Sequence, residues 1–89
     1  MSAEETVAAG LTTLDRLRIG ERAIVHAIEA GIFESGLATR LRALGVTHPN
    51  EVTMVRQGWF GGPFIVRAGR ATEIAIRRAE AALVQVRPL

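Results

Sequence analysis

The sequence predicts a small, mainly β barrel carrying one α-helix, and three observations predict it. Apolar side chains alternate with period two in short runs over residues 52–55, 64–67 and 74–76. One segment alone, Ser35 to Leu44, has helical spacing, with Leu37, Leu41 and Leu44 at i, i+4 and i+7 on a face read as core. Tight Gly- and Pro-bearing connections separate these runs, which favours antiparallel neighbours over crossover units. About five short strands are too few for a sandwich, so a barrel that covers its own edges is expected.

In chain order, residues 1–10 are small and acidic and read as a loose N-terminal tail, leaving 11–89 as the domain. Leu11, Leu14 and Leu17 recur every three residues before Gly20, as one helical turn or as a segment laying leucines onto a core. Residues 23–28 (AIVHAI) are β-rich and read as a strand with Ile24 and Ile28 on one face. Gly31 and Gly36 bracket a turn, and Ser35 is a candidate helix N-cap. Gly45 is placed to stop the helix at positive φ, with Val46 packing back on Leu41. His48-Pro49-Asn50 reads as a turn with Pro at i+1 and Asn in the left-handed region at i+2. Strands near 52–55, 64–67 and 74–76 follow, joined by Gly58–Pro63 (GWFGGP) and Gly69-Arg70. Residues 77–82 form a short helical turn before the last strand, near 83–86.

Composition removes whole classes of chemistry. There is no Cys, no Lys and no Tyr in 89 residues, and Asp15 is the sole Asp. Disulfide scaffolds, thiolate metal sites, Cys nucleophiles, Schiff-base lysines and P-loops are therefore excluded. The longest uncharged run, Gln57 to Val66, is ten residues, well short of the roughly 18 that a membrane span needs. The acidic start lacks the pattern of a signal peptide, so a cytoplasmic protein is expected. All eleven cations are Arg, so the pI near 11.0 reflects missing buffering groups rather than a large net charge, which is +2. Six of those Arg fall after residue 50, against three Glu, which gives the second half a mild basic bias.

The ordered motifs resemble one known family. Leu14-x-x-Leu17-x-x-Gly20-Glu21 leads into Ile24-x-x-x-Ile28, and Leu37-x-x-x-Leu41-x-x-Leu44-Gly45-Val46 ends the helix. Pro49-Asn50-x-Val52, Gly61-x-Pro63-Phe64 and Ile74-Ala75-Ile76-Arg77-Arg78-x-Glu80-Ala81 follow in order. From about Leu11 to Val86 the chain is similar to the ferrous iron transport protein A (FeoA) family. The resemblance implies an SH3-like barrel and a cytosolic accessory of the ferrous iron permease, a GTP-dependent membrane protein. The same module also ends iron- and manganese-responsive repressors, but the helix-turn-helix those need has no room here. Two departures stand out. The family's Pro-Gly is Pro49-Asn50, and its Ala-Pro-Leu-Gly-Asp-Pro loop is Gly58-Trp59-Phe60-Gly61-Gly62-Pro63, without the acid and with two aromatics.

No catalytic or metal constellation is expected. His26 and His48 stand 22 residues apart without a carboxylate at ligand spacing. His26 is read as bordering the core with one ring nitrogen bonded, His48 as part of a solvated turn, and no metal or other cofactor is expected. Ser35 has no nucleophile-elbow context, so the chain is not read as an enzyme. Trp59 and Phe60 are the leading partner-binding candidates: either one of them folds back over an open barrel end, or Trp59 anchors a partner, for which one exposed aromatic suffices. Arg56, Arg67 and Arg77, with Arg70 and Arg78, form either a solvated rim or a patch for an acidic partner. Arg77 also reads as a structural hydrogen-bond donor.

The expected function is thus protein–protein contact with the cytosolic part of the ferrous permease, with membrane association only through that partner. One alternative is a small nucleic-acid-binding barrel, disfavoured by the low charge. Another is a self-assembling module, a homo-oligomer using the strand edge near Phe64 to Ala68 or Trp59 in a neighbour's groove.

Overall fold

Six strands hydrogen-bond into a single antiparallel sheet in the computed structural model, which describes residues 10–29 and 35–89. The elements run β1 (Thr12–Thr13), a 3-10 turn (Leu14–Arg16), β2 (Arg22–Ile28), α1 (Ser35–Ala43) and β3 (Glu51–Gln57). A second 3-10 turn (Trp59–Gly61), β4 (Phe64–Ala68), β5 (Thr72–Ile76), α2 (Arg78–Ala81) and β6 (Val84–Pro88) complete them. The strand order is β1-β6-β2-β3-β4-β5. Ile76 on β5 and Leu14 beside β1 join the same buried cluster, so the sheet curls until its two ends share one core. Leu17, Val25, Leu41, Met54, Phe64, Val84 and Val86 fill the interior.

The period-two runs become strands as expected. Val52 and Met54 point inward on β3, Phe64 and Val66 on β4, Ile76 on β5, and Val84 and Val86 on β6. The early leucines take both expected forms: Leu14 opens the 3-10 turn, while Leu11, Leu14 and Leu17 are all buried. A two-residue strand beside them, β1, brings the number to six.

The end of α1 is closed as its sequence dictates. Gly45 sits at φ 95°, its N–H donates to Arg42 O, and the Val46 N–H donates to Leu41 O at 2.8 Å. These are the two bonds of a Schellman motif, with Leu41 and Val46 both fully buried. The Gly31 turn and the Ser35 side chain lie outside the described residues, as does the tail up to residue 9.

Five expectations need correction. Leu44 is 38% exposed rather than core, because it follows the last helical residue and the chain turns at Gly45. On β2 the inward residues are Ala23 and Val25, with Ile24 only half-buried. A register shift between Val25 and Ala27 then inserts one residue and lets Ile28 pack on the core. Asn50 does not adopt positive φ: the His48–Pro49 peptide is cis and the Asn50 N–H closes the turn onto Thr47 O at 2.7 Å. Pro49 is therefore at i+2 of a type VI turn, not at i+1. The segment Phe64 to Ala68 is no free edge, since β4 is paired on both sides, by β3 and by β5. Finally, the bonded histidine is His48, whose Nδ1 lies 3.2 Å from Val25 O, while His26 is exposed.

Candidate interaction surface

The connection between β3 and β4 is a built structure. The Gly58 N–H donates to Pro63 O at 3.0 Å and closes its base, while the Gly62 N–H returns to Trp59 O at 2.9 Å. Only glycine fits at 58, because a Cβ there would stand 2.6 Å from Pro63 O and 2.7 Å from the Gly62 carbonyl carbon. Between these ties Phe60 is forced to φ 52° and ψ 44°, the sole non-glycine residue at positive φ among the described residues. An L side chain in that region costs about 1–2 kcal/mol.

The result is a projecting aromatic tip. Trp59 is 87% exposed and Phe60 fully exposed, with ring centres 6.4 Å apart. Neither ring folds back over the barrel. A fully exposed phenyl ring held in a strained backbone contributes nothing to the core, so the fold gains no stability from it.

The tip is mounted on Arg78, the first residue of α2. Its Nε donates to Gly62 O at 3.1 Å and its Nη2 to Gly58 O at 3.0 Å, so one planar fork ties both ends of the loop. The same guanidinium lies 4.6 Å from the centre of the Phe64 ring, which anchors it to the first core residue of β4. Arg78 was indistinguishable from the other arginines in sequence, since nothing in its spacing marks two backbone carbonyls sixteen and twenty residues away.

The other arginines divide into two groups. Arg67 bonds Glu73 at 3.0 Å, directly across the β4–β5 register, so it is already satisfied. Arg77 precedes α2 and starts it through its backbone, the N–H donating to Glu80 Oε1 at 3.1 Å, while its side chain is exposed. Arg56 is exposed near the end of β3, one residue before Gln57. All three Glu of the second half have Arg partners: Glu51 with Arg22, Glu73 with Arg67 and Glu80 with Arg40. Arg56 and Arg77 have no carboxylate partner among the described residues, and they flank the end of the barrel from which Trp59 and Phe60 project.

Among the described residues no three His, Asp or Glu side chains converge as a metal cluster, and no helix is long and apolar enough to cross a membrane. His26 and His48 are brought together all the same, with ring centres 6.3 Å apart.

A curled antiparallel sheet of six strands, with an aromatic loop projecting from one end, defines a small β-barrel protein. Residues 12–88 match the FeoA domain family, and the chain belongs to that family. Stenotrophomonas maltophilia FeoA, solved as a zinc complex, is 34% identical over 84% of this chain and 88% of its own, with a TM-score of 0.72. It is described as an SH3 domain protein and a candidate activating factor for bacterial ferrous iron transport. The FeoA protein of Chlorobium tepidum is 28% identical over 88% of this chain and 70% of its own, with a TM-score of 0.79. A manganese-dependent transcriptional repressor shares the fold alone, at 16% identity and a TM-score of 0.75, over 42% of its length. A comparison with curated proteins gave no match.

Proposed function

We propose that this chain is a cytosolic, non-catalytic accessory of ferrous iron uptake, acting by contact with the cytosolic part of the ferrous iron permease. Membership of the FeoA domain family supplies the link to ferrous iron transport. The observation that carries the contact is the mounted tip. Trp59 and Phe60 are presented outward on a loop fixed by Arg78, which lowers the ordering cost of docking. Trp is enriched at interface hot spots, and Arg56 and Arg77 beside it, without a carboxylate partner among the described residues, favour an acidic rim around an apolar pocket. Arg67 is held by Glu73 towards the far end of β4, away from the tip, and stands outside this surface.

Pull-down from detergent-solubilised membranes of iron-starved cells tests the reading, with wild type and Trp59→Ala as baits at low and high salt. The expected result is recovery of the ferrous permease, at least tenfold reduced with Trp59→Ala. Equal recovery with both baits would move the contact away from the tip. Recovery of salt-sensitive nucleic acid without permease would replace the reading by a nucleic-acid-binding barrel.

A further inference from the structure

We propose that the turn at residues 18–21 is a second half of the contact surface, with Ile19 as an apolar anchor beside the aromatic tip. The two loops together take an acidic, amphipathic segment of the partner. This rests on the permease reading and extends it to residues outside the tip. Ile19 is 64% exposed, on a turn as firmly built as the tip. The Glu21 N–H donates to Arg18 O at 2.9 Å, and the Glu21 carboxylate accepts the Arg18 N–H at 2.9 Å, so the turn is closed twice. Gly20 sits at φ 87°, the region that the third residue of a type II turn requires. Ile19 holds the second position, which Pro or a polar residue would fill without loss. A large aliphatic side chain left in water there contributes nothing to the core.

The turn is fastened to the strand that leads into the tip. The Gly20 N–H donates to Met54 O at 2.6 Å, and the Met54 N–H donates to Glu21 O at 3.0 Å. Farther along β3, Gln57 Nε2 donates to Leu17 O at 3.1 Å, and Leu17 itself is buried. Ile19 is thus pinned on both sides. Gln57 ends β3, and Gly58 after it closes the base of the loop that carries Trp59. Residues 17–20 therefore run beside residues 54–57 and bring Ile19 to the same end of the barrel as Trp59 and Phe60. Arg16 and Arg18 are exposed and, like Arg56 and Arg77, have no carboxylate partner among the described residues. The acids of this segment are turned onto their own loop: Asp15 accepts from the Thr13 hydroxyl and Glu21 from the Arg18 N–H. Cations around an apolar strip match a partner segment whose own apolar strip is flanked by carboxylates. Two built turns present that strip with little left to order on docking.

Pull-down from the same solubilised membranes tests the second half, with Ile19→Ser, Leu44→Ser, Arg18→Glu and Trp59→Ala baits of the full chain beside wild type. Leu44 is the control: it is exposed too, but it adjoins Gly45, which packs near Ala68 at the opposite end of β4 from the tip. Ile19→Ser alters only exposed surface, and circular dichroism checks its folding. Permease recovery is expected to fall about fivefold in Ile19→Ser and to stay unchanged in Leu44→Ser. Arg18→Glu is expected to lower recovery most at low salt, where repulsion from an acidic partner is least screened. Equal recovery by wild type and Ile19→Ser, with loss in Trp59→Ala, would overturn this inference and leave the permease reading standing. No permease with wild type at either salt would overturn that reading and this inference with it. Binding to phosphatidylserine vesicles in place of permease, lost in Ile19→Ser, would assign the surface to lipid and overturn the proposal.

Discussion

Arg40 on α1 holds Glu80 on α2, Nη2 to Oε2 at 2.8 Å, while the other Glu80 oxygen accepts the Arg77 N–H. One carboxylate thus starts the four-residue helix α2 and ties it to α1. The Glu80 side chain is only 16% exposed and that of Arg40 is 52% exposed, so the two partners do not contribute equally. Glu80→Ala removes the cap and the ion pair together and is expected to cost about 1–2 kcal/mol. Arg40→Ala removes the exposed half of the pair alone, and its cost should stay under about 1 kcal/mol. Urea denaturation of the two variants side by side checks the asymmetry, and equal losses would contradict it.

Because α2 begins with Arg78, the same short helix also aims the tip. Arg78→Ala deletes two hydrogen bonds to the loop and the guanidinium over Phe64. These contacts are solvent-facing, and a global loss of about 1 kcal/mol is expected. The local effect should be larger. Trp59 is the sole tryptophan, so its fluorescence anisotropy reports the loop alone and is expected to fall in Arg78→Ala. Arg78→Lys should behave like the alanine variant, since an ammonium cannot span both carbonyls as the fork does. Full anisotropy in Arg78→Lys would show that the loop holds itself.

At the base of that loop, Gly58→Ala is expected to destabilise by about 1–3 kcal/mol, because a methyl group would overlap Pro63 O and the Gly62 backbone. The φ of Gly58 is −66°, so the cost is one of space and not of backbone region. Gly62→Ala meets Trp59 O at 3.1 Å and Gly58 atoms only at ordinary contact distance, and should cost less. Thermal melts of the two variants give the ranking.

What the sequence could disclose follows from how local each feature is. Gly45 and Val46 carry their own instructions within six residues, and the closure on Leu41, with Gly45 at positive φ, is the expected one. Alternation within β3, β4 and β6 is equally local and was equally readable. Parity failed on β2, where pairing with β6 shifts register between Val25 and Ala27; nothing in AIVHAI marks the inserted residue. That same shift, with the turn docked on Val25, is why two histidines 22 apart meet. The aromatic tip was visible as composition, but its orientation was not, because it depends on Arg78 reaching back from α2.

Phe60 offers the sharpest separation of stability from function. Its ring is fully exposed and its backbone is left-handed, so Phe60→Gly removes strain without opening a cavity. Relief of about 1–2 kcal/mol is offset by the greater freedom of glycine in the unfolded chain, roughly 0.5–1 kcal/mol. The variant should therefore gain about 0.5–1 kcal/mol in urea denaturation. If the tip docks into a partner, the same substitution should weaken permease recovery several-fold, since half of the aromatic surface is gone. Opposite signs in the two assays are the mark of a residue kept for contact at a cost to the fold. A variant that is less stable and binds normally would instead make Phe60 a structural residue and leave Trp59 as the anchor alone.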